Sequence, residues 1–147
     1  DYDLNYDEAG KPHLKDGKHI SISHSFDFSV IVLSDRNIGI DLELRRDLVK
    51  KIARKFAAEK FVYESEYNSD DFIRKLTVIW GVKESIFKII NEVGISFKDH
   101  IHLLPFEMVD QSGIANLHFK NKAIQFKYHF IEIDNFTLVY AFQQKQQ

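Results

Sequence analysis

An alternation of apolar and polar residues organises the first part of the chain, after a polar, turn-rich start at residues 1–18. The segment His19-Ile20-Ser21-Ile22-Ser23-His24 has the period of two that is typical of a half-buried strand. Residues 29–34 hold an apolar run and predict a short buried strand that pairs back on the first. Residues 38–43 alternate again and predict a third strand.

A helical period replaces this alternation beyond residue 47. Asp47 is a predicted N-cap, and apolar residues follow it at four-residue steps. A short helix is expected at residues 58–66. The longest predicted helix has Ser69 as N-cap and Gly94 as the residue after its end, with an apolar stripe formed by Phe72, Leu76, Ile79, Ile86, Ile90 and Val93. Gly81 inside this helix lowers helix stability by roughly 1 kcal/mol relative to Ala, and one interpretation is that another part of the protein packs close to it.

Strand patterns return after Gly94, at residues 101–108, 115–120, 123–133 and 136–142. The order of strands, then helices, then strands predicts an α+β fold with a mainly antiparallel sheet packed with helices. A chain of 147 residues suits one domain, which we expect to cover residues 1–147.

Composition and charge exclude several classes of protein. The longest apolar run is only five residues, at 138–142, whereas a membrane span needs about 20. The chain has no cysteine, so a disulfide scaffold, a thiolate zinc site and a cysteine nucleophile are excluded. A net charge of −2 gives no bulk attraction to nucleic acid.

Two carboxylates are the first candidate for chemistry. Asp41 and Glu43 lie two residues apart on a predicted strand, so their side chains point to the same face. Their mutual repulsion is relieved by a divalent cation, and magnesium prefers carboxylates together with phosphate oxygens and water. The alternative is a solvated strand face that carries two acids.

The long helix adds a second candidate. Trp80, Glu84 and Lys88 are spaced at i, i+4 and i+8, so they lie near one face of the helix. The functional interpretation is a third acid for a metal and a cation for a phosphate. The alternative is an ordinary glutamate–lysine pair beside a half-buried tryptophan.

Three further features are ambiguous by themselves. Gly10-Lys11-Pro12 is a fixed turn with a lysine at its tip, and the usual explanation of a residue such as His24 is a core histidine. The segment 45–60 is strongly basic and suggests an acidic partner, although a solvated helix face explains it as well. Its basic residues are Arg45, Arg46, Lys50, Lys51, Arg54, Lys55 and Lys60, against Asp47 and Glu59.

Four of these stretches together resemble the 4′-phosphopantetheinyl transferases of the larger, Sfp-type. They are Gly10-Lys11-Pro12, Ile20-Ser21-Ile22-Ser23-His24-Ser25, Ile38-Gly39-Ile40-Asp41-Leu42-Glu43 and Trp80-Gly81-Val82-Lys83-Glu84-Ser85-Ile86-Phe87-Lys88. They occur in the order and at about the spacing of that family. The resemblance implies the fold of that family and a holo-[acyl-carrier-protein] synthase activity. Such an enzyme moves the phosphopantetheine arm of coenzyme A to a serine of an acyl or peptidyl carrier protein and releases 3′,5′-ADP.

The resemblance also implies roles for individual residues. Asp41, Glu43 and Glu84 would hold Mg²⁺ on the pyrophosphate, and Glu84 would be the general base. The 3′-phosphate region of coenzyme A would be contacted by Lys11 and His24, with Ser23 nearby. Lys88 would contact the phosphates and help the leaving group, with Lys83 as a weaker candidate. We therefore expect Asp41, Glu84 and Lys88 to be catalytic.

The resemblance has one clear departure. In the larger type the Gly-Lys-Pro turn follows a first half of the protein, whereas here it stands at residue 10, so we expect that most of this first half is missing. The alternative to an enzyme is a truncated or degenerate half that binds coenzyme A or a carrier protein without turnover. The expected partner is an acidic carrier protein that docks on segment 45–60, and the expected location is the cytoplasm.

Overall fold

The computed structural model describes residues 4–15, 17–26 and 28–144. Within these ranges the strands are β1 (Leu4–Tyr6), β2 (Pro12–Leu14), β3 (His19–Ser25), β4 (Phe28–Ser34), β5 (Ile38–Leu44), β6 (Ile101–Leu103), β7 (Ser112–Phe119), β8 (Lys122–Ile133) and β9 (Phe136–Gln143). The α-helices are α1 (Leu48–Phe56), α2 (Lys60–Tyr63), α3 (Ser69–Ile90) and α4 (Phe97–His100), and Met108–Asp110 is a short 3₁₀ helix.

An antiparallel sheet with the strand order β5-β9-β8-β7-β6 is the base of the fold. Helix α3 lies across one face of this sheet and buries its apolar stripe there, with Leu76, Ile79 and Ile86 fully buried. The opposing side chains come from β8 and β9, chiefly Phe126 and Val139. The predicted α+β class with a helix-covered antiparallel sheet is confirmed.

Two glycines allow α3 to approach the sheet closely. A Cβ on Gly39 of β5 would lie 1.9 Å from the carbonyl oxygen of Ser85, and a Cβ on Gly81 would lie 2.7 Å from Cγ2 of Val139. Neither position has room for a side chain. The prediction that something packs close to Gly81 is confirmed, and this contact holds the middle of α3 against β5 and β9.

The β3–β4 hairpin lies beside β5 and is joined to it through serine side chains. The backbone N–H groups of Ile40 and Leu42 donate to Ser21 Oγ at 2.9 Å and to Ser23 Oγ at 2.8 Å. The hydroxyls thus satisfy backbone donors on the outer edge of β5. The hairpin itself was predicted correctly, but the prediction that its second strand is buried is wrong, because Ile31 is 61% exposed.

Helix boundaries differ from the sequence predictions at three places. Residues 58–66 contain only the four-residue helix α2. The N-cap of α3 is Asn68 rather than Ser69, since the Asn68 side chain accepts a hydrogen bond from Asp71 N. The helix ends at Asn91, which adopts the left-handed conformation with φ of 52°, so Val93 lies outside the helix and is exposed.

The polar start of the chain also contains structure that its pattern did not predict. Strands β1 and β2 form a small antiparallel hairpin around Gly10, whose φ is 88°. Asn91, at the end of α3, donates to Asp7 Oδ2 and ties this hairpin to the helix. Among the described residues, none of the helices is long and apolar enough to cross a membrane.

Candidate active site

Asp41 is the centre of the candidate site and is 5% exposed in the middle of β5. Its Oδ1 accepts from the Ser23 hydroxyl at 3.5 Å and lies 3.6 Å from the Lys88 ammonium. Its Oδ2 is buried, and no donor within the described residues reaches it. A buried carboxylate oxygen without a donor is costly, so this atom is short of a proton or a cation.

Glu43 lies on the same side of β5 as Asp41 and is held by a tryptophan. Trp80 Nε1 donates to Glu43 Oε1 at 3.0 Å, and its ring packs edge-on against Phe56 and Phe97. A rigid aromatic residue on α3 therefore fixes the position of a carboxylate on β5.

Glu84 brings a third carboxylate to the same place, one helical turn beyond Trp80. Burial, and then the repulsion from Glu43, raise the pKa of Glu84. Burial and the neighbouring Glu43 raise the pKa of Asp41 to about 9, and Glu84 adds to the shift. The carboxyl groups of Asp41 and Glu43 can hydrogen-bond to each other only when one carries a proton. The site thus holds more negative charge than the surrounding protein compensates.

We tested whether these side chains fit a divalent cation. In the described part of the chain, no three His, Asp or Glu side chains are arranged as a metal-binding group. The chemistry of the donors nevertheless suits magnesium, since Asp41 offers a buried oxygen without a donor and its two neighbours are carboxylates. The assignment of Asp41, Glu43 and Glu84 as ligands stays a prediction.

Lys88 connects this acidic cluster to an open pocket. Its ammonium donates to Ile40 O at 2.6 Å and to Ile22 O at 3.2 Å, beside Asp41. The pocket has a volume of about 190 Å³ and lies between the β1–β2 hairpin, β3 and α3. Because Lys88 lines it, an anion in the pocket would lie next to the carboxylate cluster.

Lys11 lines the same pocket from its other side. The turn at Gly10 presents this lysine, whose ammonium donates to Ile89 O at 3.1 Å and to Asn37 Oδ1 at 3.4 Å. Burial lowers its pKa. No carboxylate among the described residues forms an ion pair with Lys11, although the charge of Asp7 partly offsets the effect of burial on its pKa.

The remaining residues predicted to bind coenzyme A have different surroundings. Ser23 is buried and bonded to Leu42 N and Asp41. His24 is exposed, so the core-histidine alternative is wrong, and its Nδ1 forms a 2.9 Å hydrogen bond with Ser29 Oγ.

Lys83 is fully buried and away from the pocket. Its ammonium donates to Phe56 O at 2.8 Å, Phe97 O at 2.9 Å and Glu59 Oε1 at 3.0 Å. Leu103 N donates to the other oxygen of Glu59. Every strong contact of Lys83 is therefore made inside the protein, which favours a structural role over the predicted coenzyme contact.

Ser21 has a supporting role that the sequence pattern did not predict. This residue supports β5 in the same way as Ser23, and the period of two already placed both serines on one face of β3. That pattern was the available signal, but it did not indicate which strand the serines would face.

The basic segment 45–60 divides into paired and unpaired cations. Arg45 donates to the carbonyl oxygens of Phe136 and Asp134 and lies 3.5 Å from Glu132. Lys50 and Arg54 are paired with Asp47 and Glu66. In the described ranges Arg46, Lys51, Lys55 and Lys60 have no ion-pair partner, so these four carry the unpaired positive charge of the segment.

Comparison with known proteins supports the resemblance that the motifs indicated. Residues 37–141 match the family model of the 4′-phosphopantetheinyl transferase superfamily, a range that includes Asp41, Glu43, Glu84 and Lys88. The chain is also 30% identical over 86 residues to the 4′-phosphopantetheinyl transferase gsp of Aneurinibacillus migulanus. That alignment covers 58% of this chain and 36% of the relative, so the chain spans little more than a third of that protein. Since the family model covers well over half of the chain, this protein belongs to the 4′-phosphopantetheinyl transferase superfamily.

Proposed function

We propose that this protein transfers the 4′-phosphopantetheine arm of coenzyme A to a serine of an acyl or peptidyl carrier protein. The observation that carries the proposal is the cluster of the buried Asp41 with the half-buried Glu43 and Glu84, next to a lysine-lined pocket. This arrangement provides negative charge for a cation and positive charge for a phosphate on adjacent sides of Lys88. We also propose that residues 1–147 form one domain and that the protein is located in the cytoplasm.

The pocket supports binding of the nucleotide end of coenzyme A. Lys11 and Lys88 lie on its two sides and offer ammonium groups to phosphate oxygens. His24 is exposed and would contact the 3′-phosphate region if its hydrogen bond with Ser29 opened. Ser23 acts indirectly in this proposal, because its hydroxyl orients Asp41 and supports β5.

The carboxylates would hold Mg²⁺, which when bound supplies Lewis-acid stabilisation to the pyrophosphate. Glu84 accepts the proton of the carrier serine, directly or through water, and burial, which raises its pKa, makes it a stronger base. The serine oxygen forms a bond to the phosphorus that carries the pantetheine arm, and the bond from that phosphorus to 3′,5′-ADP breaks. Lys88 stabilises the charge that develops on the leaving phosphate.

The surface beside the cluster suits an acidic protein partner. Arg46, Lys51 and Lys55 have no ion-pair partner within the described ranges, and they lie in or just before α1. Of the three, Arg46 lines a groove together with Glu43. We propose that an acidic carrier protein docks there, and that nucleic acid and membranes are not partners. Steering by opposite charge would speed this association at low salt.

The experiment measures transfer by the full-length natural protein with coenzyme A, Mg²⁺ and several carrier proteins. Mass spectrometry should show the gain of one phosphopantetheine group per carrier, and no gain on a carrier whose serine is replaced by Ala. Chelation of Mg²⁺ should stop the reaction. Binding of coenzyme A without transfer to any carrier would overturn the proposal and favour the alternative of a non-catalytic binding module.

A further inference from the structure

The turn that presents Lys11 has little support from its own strands. It joins β1 to β2, which have three residues each, and such a short two-stranded hairpin is only marginally stable by itself. Of residues 4–14, Leu14 is the only one that is buried, while Leu4 and Tyr6 are exposed. The position of Lys11 at the pocket that we propose for coenzyme A therefore depends on polar contacts.

Asp7 makes the polar contacts that close this turn. Its Oδ1 accepts from the backbone N–H groups of Ala9 at 3.0 Å and Lys11 at 2.8 Å. The backbone closes the same loop, since Asp7 N donates to Lys11 O and Gly10 N donates to Asp7 O, both at 2.9 Å. Aspartate commonly bonds to the backbone of its own turn, so these contacts alone indicate only a well-formed turn.

The second oxygen of Asp7 forms contacts outside the turn. Oδ2 lies 2.9 Å from Nε2 of His13 on β2 and accepts from Nδ2 of Asn91 at 3.1 Å. Asn91 follows the last residue of α3, the helix that carries Lys88, and its own N–H donates to Phe87 O at 2.7 Å. One carboxylate therefore connects the turn, β2 and the end of α3.

This connection joins the two sides of the pocket. Lys11 and Lys88 line it from the turn and from α3, and Asn91 lines it as well. The Lys11 ammonium donates to Ile89 O at 3.1 Å, so the turn also contacts α3 directly. A ligand with several phosphates would contact both lysines at once, so a shift of the turn along α3 would weaken its binding.

The charge of Asp7 acts on Lys11 without occupying its ammonium. Burial lowers the pKa of Lys11, and the negative charge of Asp7 opposes that effect. The two oxygens of Asp7 already accept from four other donors. The ammonium of Lys11 donates instead to two neutral oxygens, Ile89 O and Asn37 Oδ1. Asp7 thus favours the charged form of Lys11 and leaves that charge available to an anion.

We propose that Asp7 is a positioning residue for Lys11, because it fixes the turn relative to α3 and therefore to Lys88. The inference rests on the proposed function and adds a residue that lies outside the four motifs. Asp7 acts through the turn and through Asn91, without a contact of its own to coenzyme A.

Asp7→Ala removes all four side-chain contacts and is the first test. In the full-length natural protein, the Kd and the KM for coenzyme A should rise about tenfold, while kcat at saturating coenzyme A and the KM for the carrier are retained. Asp7→Asn should recover most of the affinity, because its amide oxygen can still accept from Ala9 and Lys11. Glu8→Ala is the matched control, since Glu8 is an exposed acid of the same turn that does not line the pocket.

A double-mutant cycle with Lys11→Met shows whether Asp7 acts through Lys11. Lys11→Met by itself should weaken the binding of coenzyme A, measured by calorimetry. Asp7→Ala added to Lys11→Met should then cause little further loss. Additive losses would overturn the proposal, since they would show that the two residues act independently.

Asn91→Gly tests the connection to α3, and it also serves if Asp7→Ala does not fold. Glycine suits the left-handed end of a helix, so this variant should unfold at the same or a higher temperature although it lacks the donor to Asp7. Its affinity for coenzyme A should fall about threefold to tenfold, and this loss should be absent when Lys11 is already Met. Native affinity in Asn91→Gly would contradict the connection.

Binding and transfer are measured separately, so this inference and the proposed function can fail independently. Native affinity for coenzyme A in a folded Asp7→Ala protein contradicts the inference alone. If the native protein binds coenzyme A but transfers nothing to any carrier, the proposed function fails, and the Kd values still decide the role of Asp7. If the native protein does not bind coenzyme A, both fail.

Discussion

Two lysines of α3, Lys83 and Lys88, each contact a buried carboxylate, but the two pairs have opposite surroundings. Lys83 and Glu59 satisfy each other together with two carbonyl groups and one backbone N–H. Lys88 lies 3.6 Å from Asp41, which has two further carboxylates nearby. No donor from the described part of the chain reaches the second oxygen of Asp41. The Lys83–Glu59 pair is buried and its hydrogen bonds are satisfied within the protein. The Lys88–Asp41 pair leaves one carboxylate oxygen without a donor from the described residues, and its lysine lines a pocket.

This difference distinguishes a closed structural ion pair from one that we propose to be functional. The two lysines are five residues apart, so they point about 140° away from each other around the helix axis. Lys83 therefore enters the core near α1 and α4, whereas Lys88 faces β3, β5 and the pocket. Unsatisfied buried charge is tolerated where a ligand completes it, and the second pair has that property.

Glu84→Gln gives the largest expected effect at the open site. The variant keeps the size of the side chain but removes its charge and its ability to accept a proton. We expect transfer to fall by about 10²–10⁴ while the Kd for coenzyme A changes little, because Lys11 and Lys88 remain. The mass of the carrier protein after timed reactions measures the rate of transfer. Glu64→Gln, at an exposed position, is the control. Transfer at the native rate would show that Glu84 is not the base.

Asp41→Asn should have opposite effects on stability and activity. In the absence of a divalent cation, it removes a buried acid whose pKa is raised to about 9 by burial and Glu43. We expect the free energy of unfolding at pH 7 to increase by about 1–3 kcal/mol, while transfer is lost.

The pH dependence of the free energy of unfolding tests whether the raised pKa of Asp41 causes this change in stability. A carboxyl whose folded pKa is raised keeps a proton that the unfolded chain releases, so the native protein should lose stability as pH rises from about 4 towards about 9. Chemical denaturation in chelator, at several pH values, should show a shallower loss for Asp41→Asn. Equal slopes for the two proteins would contradict the raised pKa of Asp41.

Gly81→Ala gives the smallest expected effect and tests how tightly the helix must lie on the sheet. The added Cβ would be 2.7 Å from Cγ2 of the buried Val139 and 3.5 Å from Asp41 Oδ2. We expect a net loss of about 1 kcal/mol, because overpacking outweighs the better helix propensity of alanine. Thermal unfolding measures this loss of stability. A variant more stable than the native protein would show that the contact between α3 and the sheet has room for a methyl group.

Elements with a strong period were predictable from the sequence. The alternation of Ile and Ser placed β3, and the apolar stripe placed α3 against the sheet. The N-cap of α3 could not be resolved, because Asn68 and Ser69 both cap helices and only the backbone shows that Asn68 is extended. Gly94 was the expected end signal, but Asn91 adopts the left-handed conformation first.

The candidate site was predictable in its residue types but not in its surroundings. Spacing placed Asp41 beside Glu43, yet the burial of Asp41 depends on α3 and β3 together. Lys83 and Lys88 stand in the same motif, and the sequence does not show that Glu59, 24 residues earlier, neutralises only the first. Contacts between residues far apart in the sequence determine which lysine is neutralised, and a local sequence pattern does not reveal them.

The most direct test measures stability and coenzyme affinity in Lys83→Met and Lys88→Met side by side. Lys83→Met leaves Glu59 buried and unpaired, so it should lose about 3–5 kcal/mol of stability with an unchanged Kd for coenzyme A. If it fails to fold, the double variant Lys83→Met with Glu59→Leu should restore folding, because it removes both charges. Lys88→Met should lose at most about 1 kcal/mol but at least tenfold in coenzyme affinity. Equal losses of affinity in the folded Lys83 and Lys88 variants would contradict the assignment of one lysine to the fold and the other to the active site.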